Sequence, residues 1–377
     1  MGDNMKNTVK FNKNGILRVM HITDSHIQDG NAEATLWLIE KACEREMPDI
    51  AVITGDNVLN YDDEAKTKGY IDRLMGIFTK LGIVAAVTFG NHDSEVGALS
   101  REQLMQYYSS FPCHVANADG EKPFSSGTYN VPVMSKDGDS VKFNLWVFDS
   151  GDYDGEGHYG CMSAEDVQWY KERSDKLTAE NGGMPLHSLG FQHMIVPEVY
   201  DVLTKCKKRK LYSFEHIINK DEYYMFSPDE INFGTLNETP CSGGKNYGQF
   251  DAMVEKGDVL AVFSGHDHTN AFGVRNQGID IVNSLSTRSE TDRFSSQYGY
   301  RMIEVDEKDT TKYSCRVERW YNMFAMADIK KIKASGDSFG VKTAQGVKFR
   351  GYIQRFHTFT GRTFCRIVTG RKNTYKH

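Results

Sequence analysis

Residues 259–268 read VLAVFSGHDH. An apolar run leads into Ser264 and Gly265, and then into two imidazoles, His266 and His268, two positions apart. In a strand, residues i and i+2 point to one side, but just past a strand end the backbone bends and two such rings can face different partners. Gly265 lets the chain turn tightly at that bend. The stretch reads as a buried strand whose carboxyl end carries chemistry.

Working outward, the same pattern recurs in ILRVMHITD (16–24), DIAVITGD (49–56), IVAAVTFGNHD (83–93), FNLWVFDSG (143–151) and LHSLGFQH (186–193). NAEATLWLIEKACERE (31–46) and AKTKGYIDRLMGIFTKLG (65–82) separate the first three and carry apolar residues at three- and four-residue spacing, which predicts helices. The second of these closes on Lys80 and Gly82. SAEDVQWYKERSDKLTAENG (163–182) opens with Ser163 and Asp166, close to a capping box, and its Trp169 and Tyr170 read as core. Strands alternating with helices predict βαβ units and an α/β fold. In such sheets ligands gather at the carboxyl ends of strands. The polar stretch 205–245 reads as an insertion or long loop.

Composition narrows the class. Of 377 residues, 39% are apolar and 25% charged, which fits a globular chain and not a disordered one. No apolar run approaches the ~18 residues of a membrane helix. The first residues, MGDNMKNTVKFNKNG, hold no apolar signal core, and the seven cysteines are dispersed without a CxxC pair. A cytoplasmic location is therefore expected, or a secreted one if a leader has been removed. Residues 321–377 carry 12 Lys and Arg against 2 Asp and Glu, so the net charge of -6 conceals a basic tail of +10 on a body of -16. That tail, with interleaved Phe and Tyr, reads either as a nucleic-acid or acidic-surface contact or as a solvated appendage.

Five strand ends supply Asp24 and His26, Asp56, Asn91 with His92 and Asp93, His193, and His266 with His268. Asp24, Asp56 and Asn91 taken singly are also ordinary turn residues. Together with the imidazoles, they form a hard-to-borderline donor set without thiolate, suited to Mn, Fe, Zn, Ni or Mg. Leaving His92 and Asp93 aside, the seven side chains Asp24, His26, Asp56, Asn91, His193, His266 and His268 exceed the needs of one ion with an open position, and suffice for two ions if one carboxylate bridges. Two close metals are the usual machinery for displacement at phosphorus. His21 reads as a buried strand residue and Asp149 as the polar end of a strand. His158 and Tyr159 lie in a loop that lines a cleft or is simply solvated.

The ordered set D-x-H, GD, GNHD, a later lone His and GHxH resembles the calcineurin-like metallophosphoesterase superfamily. FDSGDYDGEGHYG, FQHMIVPEVY and NYGQFDAMVEKGDVLAVFSGHDHTN resemble its purple-acid-phosphatase-related branch over about 15–320. The resemblance implies a four-layer α/β/β/α sandwich of two mixed sheets flanked by helices. It implies an N-terminal extension at 1–14, a metallophosphoesterase domain at 15–320 and a basic C-terminal extension at 321–377. It assigns Asp24, His26 and His268 to one metal, Asn91, His193 and His266 to the other, and Asp56 to both. A metal-bound hydroxide would attack, His92 would assist the leaving oxygen, and Asp93 would orient His92.

This chain departs from the purple enzymes at two points. Leu59 stands where they carry the iron-binding tyrosine of GDxxY, and His26 where they carry the glycine of D-x-G. No tyrosinate-to-iron colour is therefore expected. The function implied is hydrolysis of phosphate monoesters, on phosphoproteins or small phosphorylated molecules. The alternatives are a phosphodiesterase or nuclease aided by the tail, and an inactive metal-binding scaffold.

Overall fold

The computed structural model of the protein describes residues 8–95, 97–115, 125–210, 213–225, 231–289 and 298–323. Most of the basic tail and the first seven residues lie outside these, and with them the expected tail contacts.

The six strand segments read from the sequence, joined by Ile279–Asn283, form the parallel blocks of two sheets. Ile16–Ile22, Ile50–Thr54 and Val84–Thr88 run parallel in a five-stranded sheet. Gly299–Asp306 and Asp309–Arg319 extend it as an antiparallel hairpin. In the eight-stranded sheet, Val141–Val147, Ser188–Phe191, Val259–Ser264 and Ile279–Asn283 run parallel. Antiparallel Tyr129–Met134 flanks them on one side, and Ala271–Asn276 and Ile231–Thr235 on the other. Both sheets are mixed.

Side-chain alternation explains the layering. Leu17 and Val19, Ile50 and Val52, and Ala86 face Leu145, Leu189, Phe191, Ala261 and Phe263 of the other sheet, closing a core between the sheets. The intervening Met20, Ile22, Ala51, Ile53, Ala85 and Val87 face outward to helices Ala32–Glu46, Glu64–Leu81 and Arg101–Ser109. Trp146, Phe148 and Val262 meet helices Ala164–Glu180 and Gln249–Lys256. The result is the expected four-layer α/β/β/α sandwich.

Local signals behave as read at most helix ends. Gly82 caps its helix in the left-handed conformation (φ 67°), and Ser163 Oγ accepts from the Asp166 amide at 3.0 Å. Of the two readings of 205–245, an insertion or a long loop, the second fails, because Thr204–Cys206, Phe214–Glu215 and Tyr223–Met225 pair into a small third sheet. Trp320, where the composition changes, is buried, and its indole N–H donates to the Thr287 carbonyl at 3.2 Å. Among the described residues no helix is long and apolar enough to cross a membrane.

Candidate dinuclear metal centre

The carboxyl ends of the two parallel blocks meet at one place. Backbone bonds lace the loops there: Asp24 N–H to Gly55 O at 3.1 Å, His26 N–H to Asp56 O at 2.8 Å, Gly265 N–H to His193 O at 3.0 Å and Thr287 N–H to Thr23 O at 2.8 Å. Crowding demands glycine at the crossings. A Cβ on Gly265 would strike Thr23 Oγ1 and Asp24 Oδ2, and one on Gly90 would strike Asp56 Oδ1 and come 2.7 Å from His193 Nε2. Asp24, His26, Asp56 and His266 have φ of 52°, 41°, 50° and 68°, the left-handed region that non-glycine residues rarely occupy. Such strain concentrates where function over-determines the backbone.

The side chains gather into two groups. Asp24, His26 and His268 bring ligand atoms within 4.8 Å of one another, and so do Asp56, His193 and His266. His26 Nε2 and His268 Nε2 stand 3.1 Å apart, and Asp24 Oδ1 lies 3.4 Å from His268 Nε2. Asp56 Oδ2 lies between the groups, 3.6 Å from His26 Nε2 and 3.4 Å from His193 Nε2. Asn91 occupies the Gly90 loop. Its Nδ2 faces the Tyr153 hydroxyl at 3.3 Å, and that hydroxyl donates to Glu95 Oε1 at 3.1 Å. The hydroxyl must therefore accept from the amide, which fixes Asn91 Nδ2 towards Tyr153.

The residues fit a pair of cations on a physical test. Asp24 Oδ1, Asp56 Oδ2, Asn91 Oδ1 and His193 Nε2 are buried and have no hydrogen-bond partner. Buried polar atoms are normally paired, so four such orphans in one centre call for a ligand. The other oxygen of each carboxylate is taken. Asp24 Oδ2 accepts from the His266 amide at 2.9 Å and Asp56 Oδ1 from the His92 amide at 2.9 Å.

The electrostatics agree. Burial would raise the pKa of Asp24, but His193, His268 and His26 outweigh it and hold the carboxyl well below the usual range. Asp56 is lowered in the same way by His193 and His26 against the effect of burial. Burial pushes His26 and His266 down to about 3, which leaves neutral rings with lone pairs to offer. His193 runs the other way. Burial opposes its charge, yet Asp56 and Asp24 draw it up to about 10, so with no cation present a proton takes that place.

The flanking residues divide. His92 has an exposed ring, and it lines a cavity of about 180 Å³ with His26, Gln28, Asp56, Val58 and Leu59. Asp93 does not orient His92 as expected. Its two oxygens accept from the backbone amides of Asp56 at 2.6 Å, Gly90 at 2.7 Å and Asn57 at 3.1 Å, because consecutive side chains on this turn point apart. Burial, then the Asp56 charge, raises its pKa to about 6. Asp93 ties the two ligand loops, and Glu95 Oε2 takes the ring contact, 2.5 Å from His92 Nδ1.

His21 is a structural strand residue, bonded to Ser284 Oγ at 2.9 Å and Thr54 Oγ1 at 2.7 Å. Asp149 pairs with Arg101, whose Nη2 donates to the Gly90 carbonyl at 2.7 Å. Tyr159 borders the centre, its ring edge-on to His266 at 4.3 Å and stacked on Tyr153 at 5.7 Å. His158 stays in its own loop, bonded to Asp154 Oδ2 at 3.0 Å. Sequence reasoning missed Glu95, Tyr153 and Arg101. Only the capping pair Ser100 and Gln103, which starts the helix bearing Arg101, had a local signal.

The family model for calcineurin-like phosphoesterases matches residues 17–270. A probable inactive purple acid phosphatase 14 of Arabidopsis thaliana is 25% identical over 302 residues, 72% of this chain and 71% of that protein. A probable inactive purple acid phosphatase 29 of the same plant is 24% identical over 303 residues, 72% of each. Among solved structures, a dimetal phosphatase from Danio rerio aligns over 80% of this chain and 98% of its own, at a TM-score of 0.48 and 13% identity. With a family model covering well over half of the chain and every loop that bears a candidate ligand, the chain belongs to the calcineurin-like phosphoesterase family.

Proposed function

We propose that the protein is a dinuclear-metal phosphoesterase that hydrolyses phosphate monoesters. The observation that carries this is the set of four partnerless buried donors, from Asp24, Asp56, Asn91 and His193, ringed by His26, His266 and His268. Asp24, His26 and His268 would hold one ion, Asn91, His193 and His266 the other, and Asp56 both. Two such ions supply Lewis-acid charge and a water acidic enough to attack near neutral pH.

The chain's own residues do the rest. Asp56 uses Oδ1 to fix the His92 amide and presents Oδ2 to the centre, so ligand geometry and the position of His92 are set together. With Nδ1 engaged by Glu95, His92 has Nε2 left to hold a proton for the departing ester oxygen. Val58 and Leu59 give the same cavity an apolar side. Leu59 has no oxygen to offer iron, so an iron-loaded protein is expected to lack a tyrosinate band. The substrate class proposed is a phosphorylated protein or small molecule.

The relatives named as probable inactive phosphatases raise a second reading, a metal-binding scaffold. One assay separates the readings. Metal-reconstituted protein is given p-nitrophenyl phosphate and bis-p-nitrophenyl phosphate side by side, with Asp56→Asn as control. Monoester turnover that vanishes in the variant supports the phosphomonoesterase, and diester preference replaces it with a phosphodiesterase. No turnover with two ions bound leaves the scaffold.

A further inference from the structure

The carboxylate against His92 is not its sequence neighbour. Glu95 Oε2 lies 2.5 Å from His92 Nδ1, while Glu95 Oε1 accepts from the Tyr153 hydroxyl at 3.1 Å. Each oxygen of one carboxylate thus meets one donor. A carboxylate only accepts, so the ring nitrogen facing it carries the hydrogen, and Nε2 remains the free end of the imidazole. Asp93 cannot serve, since backbone amides occupy both of its oxygens. Tyr153 is itself constrained, stacked on Tyr159 at 5.7 Å and bonded to Asn91 at 3.3 Å.

Resting on the role given to His92 above, we propose that Glu95 is a positioning residue that fixes the orientation and tautomer of the His92 ring, and that Tyr153 holds Glu95 in place. Both partners of the contact are about half exposed, with side chains 45% and 39% accessible for His92 and Glu95. Exposed pairs add little to folding stability. The effect of Glu95 therefore falls on the reaction and on the ring, not on the melting temperature.

The test uses the full chain reconstituted with metal, and Glu95→Ala, Glu95→Gln and His92→Ala variants. Turnover is measured on phenyl, p-nitrophenyl and 2,4-dinitrophenyl phosphates, whose leaving groups need progressively less protonation. Glu95→Ala is expected to lower kcat on phenyl phosphate about 10- to 100-fold, part of what a general acid supplies, and to change the dinitrophenyl reaction far less. Metal content and Tm stay at wild-type values. Glu95→Gln recovers most of the loss, because its amide oxygen still accepts from Nδ1–H. Adding Glu95→Ala to His92→Ala has no further effect. A loss equal across the three esters, or one that adds to His92→Ala, overturns the proposal.

Should the wild type hydrolyse none of these esters, the proposed function fails, and ring orientation is read directly. In zinc-loaded protein with ¹⁵N-histidine, the His92 signal, identified by its loss in His92→Asn, is expected to show the Nδ1–H form. It shifts in Glu95→Ala and much less in Glu95→Gln. A His92 signal indifferent to Glu95 overturns the proposal.

Discussion

His193 Nδ1 lies 2.9 Å from the carbonyl oxygen of Thr54. A carbonyl accepts only, so Nδ1 bears the hydrogen and Nε2 faces the centre. The bond also joins the end of one sheet to a strand of the other, two residues before Asp56. One contact thereby sets the tautomer of a candidate ligand and its distance from the candidate bridge.

Asp56 stands between both groups, so Asp56→Asn removes charge from each. The expected outcome is loss of activity and depletion of both metals, read by metal analysis of the purified variant alongside the ester assay. Retained activity with two ions bound would rule out the bridging role.

His92 lines the cavity and belongs to neither group of candidate ligands. His92→Ala is expected to keep both metals and lower kcat about 10²- to 10⁴-fold, the usual worth of a general acid or base. Loss of metal in place of turnover would make His92 a ligand.

Gly265 has no room for a methyl group, because a Cβ would collide with Thr23 Oγ1 and Asp24 Oδ2. Gly265→Ala is expected to cost about 1–3 kcal/mol, as overpacking does, and to displace Asp24. Calorimetry together with metal titration would show it. An unchanged Tm with full metal content would mean that the two loops are less tightly opposed than described.

The buried His21 imparts a pH dependence unrelated to catalysis. Burial, then the nearby Arg301, lowers its pKa to about 3 from the ordinary 6.5. The folded state thus binds fewer protons than the unfolded chain between these values. Its contribution to stability is complete above about pH 6.5 and is lost as pH falls towards 3, with a limiting slope of about 1.4 kcal/mol per pH unit. In metal-free protein, urea melts from pH 7 to pH 5 should show wild type losing stability relative to His21→Gln, whose amide still reaches Ser284 or Thr54. Parallel curves would refute the assignment.

Six of the seven strands of the two parallel blocks, and the side chains at their ends, were legible because each is a short apolar run followed at once by its polar cargo, whereas Ile279–Asn283 was not read as a strand. The antiparallel margins were not. Tyr129–Met134 contains Pro132, and the strands between 204 and 225 are two or three residues long and partly exposed, too short for a periodic signal. Asp93 was misread because adjacency in sequence is not adjacency of side chains on a turn. Glu95 and Tyr153 were missed because they meet across 58 residues, and nothing local to either announces the other.

The left-handed backbone at Asp24, His26, Asp56 and His266 has a thermodynamic consequence. Each such residue costs roughly 1–2 kcal/mol, and all four stand where their side chains converge on the candidate cation site. Asp24 and Asp56 combine this strained backbone with a partnerless carboxylate oxygen. If the candidate site takes its ions, ion binding and folding become a single linked equilibrium, and free metal is expected to stabilise the whole sandwich.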